Sequence, residues 1–214
     1  MHTALKTTRA ARLRQHVGRS ACLAVVLGAL LGAVQAQGTN AASPNVAMPN
    51  APSPSAFENR PELAALPGVV PTAPVRLRFW GFEVYDARLW TPVGFRHGQY
   101  PQFSFALELQ YLRKLEGAAI ASRSIDEMRR VGSLSDAQAQ SWQAAMRELF
   151  PNVGAGDRIT GVNLPGEGAE FWVNGQRVGV VKDVAFARLF FGIWLSDRTS
   201  EPKMRAQLLQ GLQP

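Results

Sequence analysis

The stretch from Val184 to Leu195 is apolar around almost its whole circumference, interrupted chiefly by Arg188. A helix of that composition has to be buried on most sides, so the rest of the chain must build walls around it. The preceding segments suit that role. Phe103, Phe105, Leu107, Leu109 and Tyr111 alternate strictly with other residues, which predicts a strand with one buried face. Val75 to Phe82 and Phe82 to Trp90 read as two further strands that bend or bulge around Gly81, the second ended by Thr91-Pro92. Gly94 to Pro101 reads as a loop. The period then changes: Ile120, Met128 and Val131, with Ile125 adjoining, fall near one side of a helix from Gly117 to Val131. Ser135 and Gln138 make a capping-box start for a second helix, whose apolar stripe is Ala139, Trp142, Ala145, Met146, Leu149 and Phe150 and which Pro151 closes. Asp157 to Leu164, Ala169 to Val173 and Gln176 to Val181 return to strand character, with Asn174-Gly175 as a two-residue hairpin signal. Asp183 is a natural cap for the apolar helix, and Ser200 is expected to cap a short terminal helix with Pro202 in its first turn. Strands, two helices, strands, two helices predict an α+β fold, an antiparallel sheet covered by helices on one face.

The residues ahead of these elements differ in character. Lys6, Arg9, Arg12, Arg14 and Arg19 form a basic region, Ala21 to Val34 an apolar one, and Val34-Gln35-Ala36 offers small residues at the cleavage-determining positions. Residues 1–36 therefore read as a signal peptide, and the expected location is exported, in the periplasm. The apolar run falls short of the ~20 residues that span a bilayer, so no stable membrane span is expected after cleavage. Residues 37–62 are rich in Ala, Pro, Asn and Ser without a hydrophobic period and read as a disordered tether, leaving residues 63–214 as one domain. None of the 16 acidic residues precedes Ala36, so loss of the five basic residues named above brings the net charge of +7 close to neutral. A nucleic-acid partner, which requires a basic stripe on the folded domain, is not expected. Cys22 is the one cysteine and His97 the one histidine beyond Ala36. That excludes disulfides from the mature chain and argues against a zinc site, a cysteine nucleophile or a serine triad. No cofactor or metal is expected, and the oligomeric state is left open.

Three blocks go further: Val-Tyr-Asp-Ala-Arg-Leu-Trp at Val84 to Trp90, Ser-x-x-Glu-Met-Arg-Arg at Ser124 to Arg130, and Gly-Ile-Trp-Leu-Ser at Gly192 to Ser196. With them the chain from Leu66 to Gly211 resembles the bacterial, exported branch of the chalcone isomerase-like family. The resemblance implies an open-faced β-sandwich, a large antiparallel sheet carrying a layer of helices on one face with a ligand cleft between them. Plant enzymes of the family close a chalcone into a flavanone with an arginine, a tyrosine, an asparagine and two threonines. Laid on this chain, the threonine falls near Trp80, the tyrosine near Glu116, the asparagine near Arg123 and the second threonine near Leu189, so none of the four is kept. The arginine has a counterpart in Arg76 or Arg78. Other, non-catalytic branches of the family bind fatty acids through that arginine.

The resemblance therefore implies a non-catalytic binding protein for a small apolar or carboxylate-bearing molecule, fatty-acid-like in character. Arg76 or Arg78 is the expected anchor, since a guanidinium fork matches a carboxylate. Trp80, Tyr85, Glu116, Arg123 and Leu189 are the other expected ligand contacts. Two alternatives stay open: an intramolecular lyase or isomerase acting on an unsaturated ketone, with Tyr85 as proton donor, and an envelope protein that reaches a partner through its tether. From the residues alone, Tyr85, Phe186, Phe190, Phe191 and Trp194 read more simply as core. Arg123 reads as pairing with Asp126 or Glu127, Glu108 as exposed or paired with Arg88, and His97 as an exposed loop residue.

Overall fold

The computed structural model describes residues 60–214. The signal peptide read at residues 1–36 and most of the tether read at 37–62 lie outside them. Seven strands form one antiparallel sheet: β1 (Val70–Pro71), β2 (Val75–Phe79), β3 (Phe82–Thr91), β4 (Phe105–Tyr111), β5 (Arg158–Leu164), β6 (Gly168–Val173) and β7 (Gln176–Val181). From β3 to β7 the spatial order is the chain order, and β1 and β2 both pair with β3. Among the described residues, four α-helices complete the fold: α1 (Gly117–Val131), α2 (Asp136–Leu149), α3 (Val184–Leu195) and α4 (Pro202–Leu208). α3 lies against β5 and β6, α4 against β2 and β3, and α1 packs on α2 and α3.

Local signals explain most boundaries. The Ser135 hydroxyl accepts from the Gln138 backbone N–H while the Gln138 side chain accepts from the Ser135 N–H, so the capping box closes in both directions. Asp183 Oδ1 accepts from the Ala185 and Phe186 N–H groups at 2.8 and 3.0 Å, and Oδ2 from the Trp142 indole at 3.0 Å. Three features depart from expectation. β2 and β3 do not bend around Gly81 but fold into a tight hairpin through Trp80 and Gly81, and the register shift lies at Leu77/Arg78. Ser200 does not cap α4; Glu201 occupies that position without a side-chain cap, and Thr199 Oγ1 accepts from the Glu201 N–H at 3.1 Å. Residues 94–102 are more than a loop, because a 3-10 segment, His97–Gln102, buries Tyr100, and His97 is half-buried.

Alternation gives the sheet two different faces. Tyr85, Ala87, Leu89, Phe105, Leu107, Leu109, Tyr111, Ile159 and Phe171 meet the helices in the main core. The interface with α3 is filled by rings: Phe191 stacks edge-on against Phe105 at 4.9 Å between centroids, and Phe190 against Phe171 at 5.1 Å. Two glycines mark how close the layers come. A Cβ at Gly161 would meet the Phe191 and Phe171 rings at 3.2 and 3.3 Å, and one at Gly192 would meet Val131 at 2.6 Å and the Tyr100 hydroxyl at 2.9 Å. The hollow expected between sheet and α3 is occupied by side chains at this level.

The opposite face is not left bare. Leu63 and Leu66 cover Trp90, Ala106 and Val162 in a second apolar cluster. Beside it, Arg60 donates to both oxygens of Glu108, at 2.5 and 3.0 Å, and Arg158 and Thr160 donate to Glu62 Oε1 at 3.2 and 3.0 Å. Glu62 and Glu108 are both buried, so Glu108 is not exposed, and Arg60 and Arg158 pair with it rather than Arg88, which stands opposite it on β3. Residues 60–62, at the end of the stretch read as tether, are thus built into the fold.

Candidate functional site

Arg76 and Arg78 share a face of β2 with each other, but it is the face turned away from the helices. Arg76 stands opposite Asp86 and donates to both its oxygens at 2.8 Å, and it reaches Glu83 at 2.9 Å. Arg78 donates to the other oxygen of Glu83 at 2.8 Å. The Asp86 carboxyl is held below the usual carboxylate range by its bonds from Arg76, and that of Glu83 by Arg78 and then Arg76. Both guanidiniums are exposed and already engaged by carboxylates, so neither anchors a ligand beneath the helices. The positions laid on the family's catalytic groups do not converge either. Trp80 stands 74% exposed at a hairpin tip, Glu116 is an exposed residue at the start of α1, and Leu189 is core.

Tyr85 and Arg123 lie within electrostatic reach of each other, and Arg123 pairs with Glu127, one of the two partners expected for it. Tyr85 projects from β3 toward the helices, edge-on to Tyr111 at 6.0 Å between centroids, and its hydroxyl accepts the Trp194 indole N–H at 3.0 Å. Trp194 is near the end of α3 and only 8% exposed. On α1, Arg123 and Glu127 are one turn apart, and Arg123 Nη2 lies 2.5 Å from Glu127 Oε1. Arg130 Nε is 3.5 Å from Glu127 Oε2, too far for a hydrogen bond. Glu127 is 6% exposed, and its Oε2 has no hydrogen-bond donor among the described residues.

Electrostatics tie this cluster to Glu201, just ahead of α4. Burial pushes the Tyr85 phenol well above its ordinary range; the Trp194 bond opposes this, and the charges of Glu201 and Glu127 reinforce it. Burial also raises the Glu201 carboxyl, followed by repulsion from Glu127, with Arg123 partly offsetting both. The result is a phenol that stays protonated and a Glu201 carboxyl whose charged form is disfavoured. Such a cluster can donate from Tyr85 and accept at Glu127. A neutral phenol this resistant to ionisation positions a group well and transfers a proton poorly, since efficient acid catalysis needs a pKa near the working pH.

One signal pointed to Glu127 in advance: Ile120, Ser124, Glu127 and Val131 share the buried side of α1, and a carboxylate on an apolar stripe is unusual. Trp194 and Glu201 lie in the Phe186 to Pro202 stretch but look like core and surface by themselves. Concave surface is found elsewhere. A recess of about 430 Å³ lies between Val70 to Ala73, Thr91 to Phe95 and Gln210 to Gln213, and one of about 230 Å³ between α1 and α2. Among the described residues no group of three or more His, Cys, Asp or Glu is placed to hold a metal, and no helix is long and apolar enough to cross a membrane.

Three comparisons bear on this arrangement. A protein of Haemophilus influenzae described only as uncharacterized is 30% identical over 132 residues, 61% of this chain and 63% of its own, so this chain spans less than two thirds of that relative. The crystal structure of a fatty-acid binding protein of Arabidopsis thaliana superposes with a TM-score of 0.49 at 15% identity, covering 66% of this chain and 84% of that one. The family model described as chalcone isomerase-like matches residues 73–210, which takes in the sheet from β2 to β7, all four helices and every member of the Tyr85 cluster. On that match, this chain belongs to the chalcone isomerase-like family.

Proposed function

We propose that the protein is an exported, non-catalytic member of the family that binds one small, largely apolar molecule, receiving its polar end at Tyr85, Arg123, Glu127 and Glu201. Glu127 carries the reading. A buried carboxylate oxygen without a donor costs about 1–3 kcal/mol, and a ligand hydroxyl or N–H supplies the missing bond. Tyr85, half-buried, oriented by Trp194 and within electrostatic reach of Glu127, is the second contact. A ligand carboxylate at this place would face Glu127 and Glu201, so the geometry favours a hydroxyl-bearing apolar molecule over a fatty carboxylate. The isomerase alternative is less well supported, because Arg76 and Arg78 lie across the sheet from Tyr85. Export rests on residues 1–36, as read above.

Thermal shift with naringenin, naringenin chalcone, palmitate and oleate tests the reading. A ligand at a hundred times its Kd stabilises by about 2.7 kcal/mol, or roughly 5–10 °C for a domain of this size. We expect that shift with a hydroxylated compound and its loss in Glu127→Ala. No shift with any of the four, or a shift unchanged by that substitution, counts against the proposal.

A further inference from the structure

Two hairpins of this sheet turn through the same backbone geometry. Between β6 and β7 the turn residues are Asn174 and Gly175, with φ of 49° and 80°; between β2 and β3 they are Trp80 and Gly81, with φ of 51° and 80°. A turn with two positive φ values favours Asn-Gly, and a bulky residue there is an outlier. Trp80 is strained by this conformation, and at 74% exposed it gains little from burial. Neither the turn nor the core selects tryptophan at this place. Phe79 and Phe82 flank it at 40% and 54% exposed, while the other exposed large apolar residues, Val70, Val93, Val178 and Val184, are scattered singly along the chain.

The aromatic tip has a cationic rim. The Arg113 guanidinium lies 5.0 Å from the Phe82 ring centroid, and Lys114 next to it is exposed. Arg76 and Arg78 pair with Glu83 and Asp86 within the hairpin, so Arg113 and Lys114 leave the tip with a net positive charge. A four-residue turn presents far less than the ~800 Å² that a stable protein interface takes from each partner. A layer of lipid headgroups demands no such area: indole rings settle at that depth, and Arg and Lys reach anionic headgroups from it. We propose that the β2–β3 hairpin tip docks the protein peripherally on an anionic lipid surface, with Trp80, Phe79 and Phe82 at headgroup depth. Tyr85 faces the helices, so this docking is independent of the ligand site.

The test uses the full chain with vesicles of brominated phosphatidylcholine and phosphatidylglycerol. All five tryptophans lie beyond residue 60 and Trp80 is the most exposed, so quenching reports on the hairpin and not on the N-terminal segment. Quenching is expected with the anionic vesicles and is expected to be at least tenfold weaker, in lipid concentration, with phosphatidylcholine alone. Phe79→Ser with Phe82→Ser, which keeps Trp80 as reporter, should weaken it at least tenfold, and Trp80→Asn should raise the melting temperature. Absence of quenching in anionic vesicles, equal quenching in the double variant, or a lower melting temperature for Trp80→Asn would overturn the proposal.

Discussion

Tyr85→Phe removes one oxygen and tests the site's internal geometry without a ligand. The lost hydroxyl is the acceptor of the Trp194 indole N–H at 3.0 Å, and Trp194 is 8% exposed, so the N–H has little access to water. Leaving such a donor unpaired costs about 1–3 kcal/mol. For a domain of this size that lowers the melting temperature by roughly 2–10 °C, read by circular dichroism and by urea unfolding at constant m. A double-mutant cycle with Trp194→Phe isolates the contact: once the indole is gone, losing the hydroxyl should cost about 1 kcal/mol less than it does in the wild-type background. Unchanged stability in Tyr85→Phe, or strict additivity in the double variant, would refute the claim that Trp194 holds this hydroxyl.

Three other outcomes follow from buried and coupled groups. Burial raises all three tyrosines above the ordinary value of 10.0, Tyr100 to about 12. A raised folded-state pKa stabilises below the unfolded value and that stability is lost as pH rises through the folded one. Phenolate absorbance at 295 nm should therefore appear together with alkaline unfolding, and a separate titration near pH 10 in a native protein would contradict it. Glu201 is likewise raised above 4.5, so wild type should lose stability relative to Glu201→Gln as pH rises from about 4.5; a stability difference constant from pH 4 to 8 would show the carboxyl is not coupled as described. Glu108→Ala removes the acceptor of two Arg60 donors beneath Leu63 and Leu66 and should cost about 3–5 kcal/mol in urea unfolding; a loss under 1 kcal/mol would mean that residues 60–66 do not seal that face.

Short-range signals were legible in the chain. Asn174-Gly175, the Ser135 capping box, the Asp183 cap and the alternation through Tyr111 each depend on residues within one turn or one strand, and each appears in the fold. The facing of Arg76 and Arg78 was legible too, and misread. Val75 and Leu77 alternate with them, and the apolar pair marks the core side, so the arginines had to point away. The family pattern drew them inward against that local rule. What could not be read were contacts made across long stretches of chain. Glu108 looks like an outward residue of a half-buried strand until Arg60, 48 positions earlier, covers it. The Tyr85 cluster likewise joins two helices and the residue ahead of a third to a strand, and its Trp194 bond spans 109 positions.

The central claim is that a ligand engages the Tyr85 cluster rather than the packed interface under α3 or the arginines across the sheet. Indole N–H resonances offer the most direct reading, because the five tryptophans are spread over both faces of the sheet. On titration with naringenin the account predicts a saturable shift of the Trp194 cross-peak, larger than any produced by oleate, while Trp90 on the far face stays in place. A Trp194 resonance unmoved by naringenin at saturating concentration, or one shifted by oleate alone, would contradict it.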